Sequence, residues 1–212
     1  MSTVSNSSNR SATMGSIGSI MLLIPALNII GIVLVFLGIR GLAKQYKDNS
    51  LYHNAAIGTF FGIFGLFIIT NNALVLLINY IFTSKTTLVI SNAITVTQQT
   101  PSLISFDIIA FGILIMFSPI LLMALFYRSA FSALAGSSGK HLFRPAGNLL
   151  LIGAIIPLLC TIIAVLTSPM SLNVSQALTI WGLFSGLFVV YIAFIIMVIA
   201  FSSLKQTQTY RN

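Results

Sequence analysis

The stretch IGSIMLLIPALNIIGIVLVFLGI, residues 17–39, contains no charged side chain. An α-helix needs about 20 mainly apolar residues to cross about 30 Å of hydrocarbon, because it rises about 1.5 Å per residue. Lipid offers no hydrogen-bond partner to backbone N–H and C=O groups, and an α-helix satisfies its own. The stretch therefore predicts a transmembrane helix near the beginning of the chain.

The rest of the chain repeats this pattern. Apolar residues make up 57% of the 212 residues and charged residues 6%, whereas soluble domains carry about 25% charged residues. Four further apolar blocks are long enough to span a bilayer: residues 55–82, 108–126, 149–166 and 177–204. We therefore predict an all-α, polytopic integral membrane protein with about five spans in one domain, residues 17–204. A polar exterior segment, 1–16, precedes this domain, and a cytoplasmic tail, 205–212, follows it.

The positions of the cations predict the orientation. Eight of the ten Lys and Arg are in the first loop, the third loop and the tail: Arg40, Lys44, Lys47, Arg128, Lys140, Arg144, Lys205 and Arg211. The other two, Arg10 and Lys85, are in the remaining polar segments. Cytoplasmic segments are enriched in Lys and Arg, so the topology is predicted to be N-out and C-in.

Three proline residues interrupt the apolar blocks. Pro25, Pro119 and Pro157 fall inside the first, third and fourth predicted spans. Proline removes a backbone hydrogen bond and predicts a kink or a short half-helix. Each of these spans either crosses the membrane fully or is a re-entrant hairpin, and the sequence leaves both alternatives open.

The loop GLAKQYKDNSLYHNAAIG, residues 41–58, concentrates rare residue types. Asp48 is one of two carboxylates in the chain, and His53 is one of two histidines. We interpret the loop as a connection between spans, in which Asp48 and Asn49 form the turn and, with Ser50, cap the next helix. Two carboxylates are little material for acid–base chemistry, so we predict no catalytic, cofactor-binding or metal-binding residue and no enzyme activity. Cys160 is the single cysteine and has no disulfide partner within the chain.

Four polar residues within or at the ends of the spans are candidate functional positions: Asn71, Asn72, Asn79 and Asp107. Amides in a membrane helix most often form interhelical hydrogen bonds, and the alternative is a pathway for a polar solute. Asp107 is either a residue in the first turn of a helix capped by Ser105 or a functional acid that relays protons or coordinates a cation.

Small residues and sequons complete the set of candidate positions. Gly58 with Gly62, and Gly182 with Gly186, have the small-xxx-small spacing that lets helices approach closely, either within the chain or between two copies. Three asparagines, Asn6, Asn9 and Asn173, stand in N-x-S/T sequons on the predicted exterior face and are candidate glycosylation sites.

The third loop shows helical spacing on both sides of a glycine-rich turn, which predicts helices that continue past the membrane interface. Arg128 and Arg144 are expected to extend towards lipid phosphates. Binding of a cytoplasmic partner protein is the alternative for this loop. The net charge of +8 is divided among several loops and forms no dense basic block, so nucleic acid is not a predicted partner.

Three segments resemble a known family: GLAKQYKDNSLYHNAAIGTFFGIFG (41–65), AFSALAGSSGKHLFRPAGNLLLIGAI (130–155) and IAFIIMVIAFSSLK (192–205). Together they are similar to a multi-pass family of archaeal membrane proteins, domain-of-unknown-function family 996. SGKHLFRPAG is the most specific part of the likeness. The resemblance implies an archaeal cell membrane and supplies no activity, cofactor or catalytic residue.

The sequence thus predicts a multi-pass protein of the cell membrane whose biochemical activity is unknown. The leading hypothesis is a structural or accessory component that contacts membrane lipids and associates with itself or with a larger complex. One alternative is a small transporter or channel, which requires a continuous polar cavity reaching Asn71, Asn72 or Asn79. The second alternative is a subunit of a membrane enzyme complex without catalytic residues of its own.

Overall fold

A computed structural model describes the backbone over residues 2–90, 106–167 and 172–209, and side chains mainly over 9–71, 112–167 and 174–204. The described residues form helices and short turns and contain no strand. The six α-helices are α1 (Ser2–Met21), α2 (Asn28–Tyr46), α3 (Asn49–Ile90), α4 (Phe106–Ser138), α5 (Phe143–Thr167) and α6 (Leu172–Thr209).

Within the described residues, five helical segments are long and apolar enough to cross a membrane: Pro25–Tyr46, Asn49–Ile68, Phe117–Ser138, Phe143–Thr167 and Val174–Leu204. The first combines a short 3-10 turn with α2, and the other four fall in α3 to α6, one in each helix. The prediction of an all-α, multi-pass membrane protein is therefore confirmed. Pro119 and Pro157 lie inside α4 and α5, and each helix continues past its proline.

The first apolar block differs from its prediction. Instead of one span over 17–39, α1 ends at Met21, a short 3-10 turn covers Pro25–Leu27, and α2 starts at Asn28. The predicted exterior segment 1–16 likewise belongs almost entirely to α1. A hydropathy pattern cannot separate these two structures, because the turn between the helices consists of Leu, Ile, Pro and Ala.

The turn has its own stabilising bonds. Pro25 stands at the start of the 3-10 turn, where its missing N–H costs no helical hydrogen bond. The amide nitrogen of Asn28 donates to the carbonyls of Leu22 (2.9 Å) and Ile24 (3.2 Å) in the orientation that satisfies both of its polar atoms. Asn28 thus bonds backbone groups that a continuous helix would have satisfied.

Glycines allow α1 and α2 to pack closely as an antiparallel hairpin. A Cβ atom on Gly18 would come within 2.6 Å of the backbone nitrogen of Val35, and one on Gly38 within 2.7 Å of the backbone nitrogen of Gly15. Further along, the side chain of Ser11 packs against Gly41. The hairpin therefore brings Arg10, next to Ser11, to the same end as Arg40, next to Gly41.

The six helices form a closed ring in chain order. Each helix packs against the next, and α1 packs against α6. At this last contact, Phe201 lies over Gly15, and the hydroxyls of Ser16 and Ser202 are 3.2 Å apart. α1 thus completes the ring of helices around the interior.

One end of the ring carries every cation whose side chain the structure describes: Arg10, Arg40, Lys44, Lys47, Arg128, Lys140 and Arg144. The described start of α1 and the last described side chains of α6 are both near this cationic end, as the contact between Gly15 and Phe201 requires. The α1–α2 hairpin brings these described segments together, because it adds one reversal of chain direction. The orientation of the two termini relative to the membrane, N-out and C-in, stays a prediction.

Candidate functional site

A cavity of about 360 Å³ lies inside the ring. Helices α2 to α6 all contribute to its wall, and Leu22 from the α1–α2 turn completes it. The lining is almost wholly aliphatic or aromatic, with Ile32 on α2, Ile120 on α4, Leu150 on α5 and Val190 on α6 as representatives. An apolar cavity of this kind excludes water and favours an apolar occupant.

Three lining residues carry polar side-chain groups: Asn28, Tyr127 and Tyr191. The Asn28 amide is engaged by the α1–α2 turn. Thr59 donates its only hydroxyl hydrogen to the carbonyl of Ala55 at 2.7 Å. Tyr127, whose hydroxyl oxygen is 2.9 Å from that of Thr59, must therefore be the donor in this pair. Two of the three polar groups thus have partners within the protein.

Aromatic rings close the cavity towards the cationic end. Tyr127 packs on Phe131 with ring centres 5.7 Å apart, Phe131 on Phe143 at 5.9 Å, and Phe143 on Phe201 at 5.1 Å. The three phenylalanines are fully buried. Stacked, tilted and edge-to-face ring pairs of this spacing add about 0.5–1.5 kcal/mol each beyond the area they bury. Buried, packed aromatic rings therefore lie between the cavity and the charged groups.

The predicted polar positions do not form this site in the described part of the chain. The side chain of Asn71 is exposed and donates to the carbonyl of Phe67 on its own helix at 3.0 Å. The side chains of Asn72, Asn79 and Asp107 lie outside the described residues. The cavity that the structure describes is apolar, and so it is not the polar cavity that a pathway for charged or polar solutes requires.

The predicted small-residue pairs face other helices of the same chain. A Cβ on Gly58 would meet Tyr127 at 3.0 Å, and one on Gly62 would meet the sulfur of Met123 at 2.6 Å. On α6, Gly182 packs against Cys160, and Gly186 packs against Pro157. These glycines therefore set the width of the ring, and association between copies through them stays a prediction.

The loop at 41–58 contains a helix cap. Asp48 accepts a hydrogen bond from the backbone N–H of Leu51 at 3.1 Å. Its second oxygen is 3.4 Å from the Ser137 hydroxyl, whose single hydrogen is also directed to the carbonyl of Ala133 at 3.0 Å. His53 is exposed and packs edge-on against Tyr52. Among the described residues, no group of three or more His, Cys, Asp or Glu is arranged to hold a metal ion.

The sequons fall on or near helices. Asn9 lies in α1, and its side-chain oxygen is buried without a hydrogen-bond partner. The side chains of Asn6 and Asn173 lie outside the described residues. Glycosylation at these three positions stays a prediction.

A family model with the description "Protein of unknown function (DUF996)" matches residues 27–168, two-thirds of the chain. The chain belongs to the DUF996 family. Neither a curated protein nor a solved structure matches it.

The DUF996 match extends from the α1–α2 turn to the end of α5. Two of the three resembling segments, 41–65 and 130–155, lie inside it, and the third, 192–205, lies outside. The helices that complete the ring, α1 and α6, are thus beyond the matched region. The cavity wall combines four helices of the family region with α6.

The cavity itself was not predicted from the sequence. Its lining residues are apolar, as are those that face lipid, such as Phe60 and Trp181, which are 66% and 74% exposed. Hydropathy gives both sets the same signal. Only the glycines at positions 62, 153 and 186, which line the cavity, mark the faces on which helices approach one another.

Proposed function

We propose that this DUF996 protein is a non-catalytic accessory component of the cell membrane that holds an apolar molecule inside its helix ring. The observation that supports the proposal is the 360 Å³ cavity with its apolar wall. Ligand pockets usually measure about 300–1,000 Å³ and are lined mainly by hydrophobic side chains. An apolar cavity of about 150 Å³ already binds benzene, so this cavity offers room for a larger hydrocarbon.

The surroundings determine what reaches the cavity. Lipid chains are the most abundant apolar molecules around a membrane-embedded ring, and membrane lipids are therefore the proposed partners. The resemblance to a family of cell-membrane proteins supports the proposed location. The transporter alternative has less support, because the described lining has no row of polar groups to replace the hydration of a polar solute.

The test uses purified full-length protein and a palmitic acid that carries a photoreactive diazirine group. After irradiation, mass spectrometry identifies the labelled residues. We expect labels on lining residues such as Ile120 and Leu150, and also on lipid-facing residues such as Phe60. Ala154 lines the cavity and is 2% exposed, so Ala154→Phe places a ring in this space and should abolish labelling of the lining residues only.

The matched control is Ala177→Phe, which adds the same ring at an exposed position on α6. It should leave both sets of labels unchanged. Circular dichroism confirms that each variant retains its helices. Absence of label from the lining residues of the unmodified protein, or persistence of that label in folded Ala154→Phe, would contradict the proposal.

A further inference from the structure

Arg128 on α4 is held in a defined orientation by α5. Its Nε–H donates to the side-chain oxygen of Asn148 at 2.8 Å, and both side chains are exposed on the outside of the ring. The guanidinium has five N–H donors, and this bond uses one of them. The bond also directs the NH₂ group of Asn148 away from the arginine, so that it is available as a further donor.

Arg128 lies at the cationic end of the ring, beside the start of α5. Its Cα atom would be 3.0 Å from a Cβ on Gly147, which follows the first residue of α5, Phe143, by about one helical turn. An exposed arginine near the end of a membrane helix extends its guanidinium towards the lipid headgroups, where phosphate groups are the anions within reach. The position of Arg128 therefore favours an anionic partner.

The chain has no carboxylate to supply it. Asp48 and Asp107 are the only acids in 212 residues. Asp48 lies beside Ser137, with 3.4 Å between their side-chain oxygens, and Ser137 is about 14 Å further along α4 than Arg128 at 1.5 Å per residue. Asp107 is about 30 Å away at the other end of the same helix.

A second cation near Arg128 also favours an anionic partner. Arg144 is exposed and precedes Asn148 by four residues on α5, so the two share a face with Cβ atoms about 5–6 Å apart. Arg144 also lies in the first turn of α5, which contains no acidic residue. The helix dipole disfavours a cation there and favours an anion.

We propose that Arg128, Arg144 and Asn148 bind the phosphate group of a membrane lipid on the outer face of α4 and α5. Guanidinium groups pair with phosphate through two parallel hydrogen bonds, and the amide adds a third donor. The lipid chains lie against the apolar surface of the two helices, while the phosphate neutralises Arg128. This site is separate from the cavity and does not depend on the proposed function.

The experiment titrates the purified full chain with phosphatidylglycerol and measures retained lipid by native mass spectrometry. We expect one tightly retained lipid in the unmodified protein. Arg128→Gln and Arg144→Gln should each weaken its retention about fivefold, since a cation near the membrane surface contributes about 1 kcal/mol. Asn148→Ala keeps the net charge but releases Arg128, and it should weaken retention as well.

Arg40→Gln is the matched control, because it removes one exposed cation from α2 at the same end of the ring. Equal weakening by Arg40→Gln would mean that net charge alone attracts lipid, and would overturn the site. Equal retention of a galactosyl diacylglycerol, which has no phosphate, would overturn it too. Displacement of the lipid by millimolar inorganic phosphate would show that the arginines bind free phosphate, and would also refute a lipid site. Circular dichroism verifies folding, and Asn148→Ala tests the site if an arginine variant does not fold.

Discussion

At the scale of single residues, scarcity makes each carboxylate informative. Asp48 is one of two acids, and its neighbours in the sequence led to two interpretations, an active site or a loop. In the structure, one of its oxygens bonds the first turn of α3, and the other lies 3.4 Å from the Ser137 hydroxyl at the end of α4. The N–H of Asp48 bonds to Ala43 in α2 at 3.1 Å, so Asp48 joins α2 to α3. Its described bonds are those of a helix cap in a turn.

Replacement of Asp48 should measure the strength of this cap. We expect Asp48→Ala to lower the free energy of unfolding by about 1 kcal/mol, because the first turn of α3 loses its acceptor. Asp48→Asn retains an oxygen that caps nearly as well and is the matched control. Unfolding in mixed micelles with increasing SDS, followed by circular dichroism, gives both values. Equal destabilisation by the two substitutions would show that charge, and not capping, is what Asp48 contributes.

At the scale of elements, the α1–α2 hairpin is the feature that the sequence did not predict. Its turn is as apolar as the helices beside it, while α1 is rich in serine. The hairpin forms because glycines on both helices allow their backbones to approach, and serine hydroxyls bond within their own helix, as Ser19 does to Gly15 at 2.8 Å. Such packing is typical of membrane helices, where lipid provides no hydrophobic drive for helices to associate.

A larger side chain on the α1 packing face should separate the hairpin. In Gly18→Leu, the new Cβ would meet backbone atoms of Val35 and Gly31 at 2.6 and 2.8 Å, and backbone cannot move as a side-chain tip can. We expect a loss of about 1–3 kcal/mol of stability, the usual cost of overpacking. The same SDS titration measures it.

The control is Gly136→Leu. Gly136 is exposed on α4 and has nothing within 4 Å of the added Cβ. This variant should unfold at the same SDS fraction as the unmodified protein or at a slightly higher one, since leucine favours the helix. Similar destabilisation of both variants would argue against a close α1–α2 contact.

At the scale of the whole molecule, α1 makes the difference between an open bundle and a ring. The contact between α1 and α6 closes the ring and brings the described ends of the chain to one side. Arg10 then joins the other described cations at the same end. Which side of the membrane this end faces stays a prediction.

Cysteine labelling should locate the ends of the chain. In a Cys160→Ser background, we expect cysteines at positions 10 and 47 to react with a membrane-impermeant maleimide from the same side. A cysteine at the exposed position 26, in the α1–α2 turn, should react from the opposite side. Reaction at positions 10 and 47 from opposite sides would support the N-out topology and contradict the hairpin. Intact cells and inverted vesicles give the two orientations.

The sequence by itself determined that this protein is embedded in lipid and that its main structural element is the α-helix. Runs of apolar residues such as 149–166 have to be helices in lipid, because no other partner exists for their backbone groups. Turn chemistry at Asp48 and at Gly139, whose φ is +68°, was also readable from local residue types. These features depend on residues that are close together in the chain. Hydropathy and turn propensity are properties of such short stretches, so they predict these features.

Only the tertiary structure decided the hairpin, the ring and the cavity. An apolar side chain that faces lipid and one that lines a cavity, such as Phe60 and Ile120, have the same affinity for their surroundings. Their different positions depend on how far apart the helices are held by residues distant in the chain, as Gly15 and Phe201 are. Hydropathy is a property of each residue in one solvent, whereas the space inside the ring is a property of all six helices together.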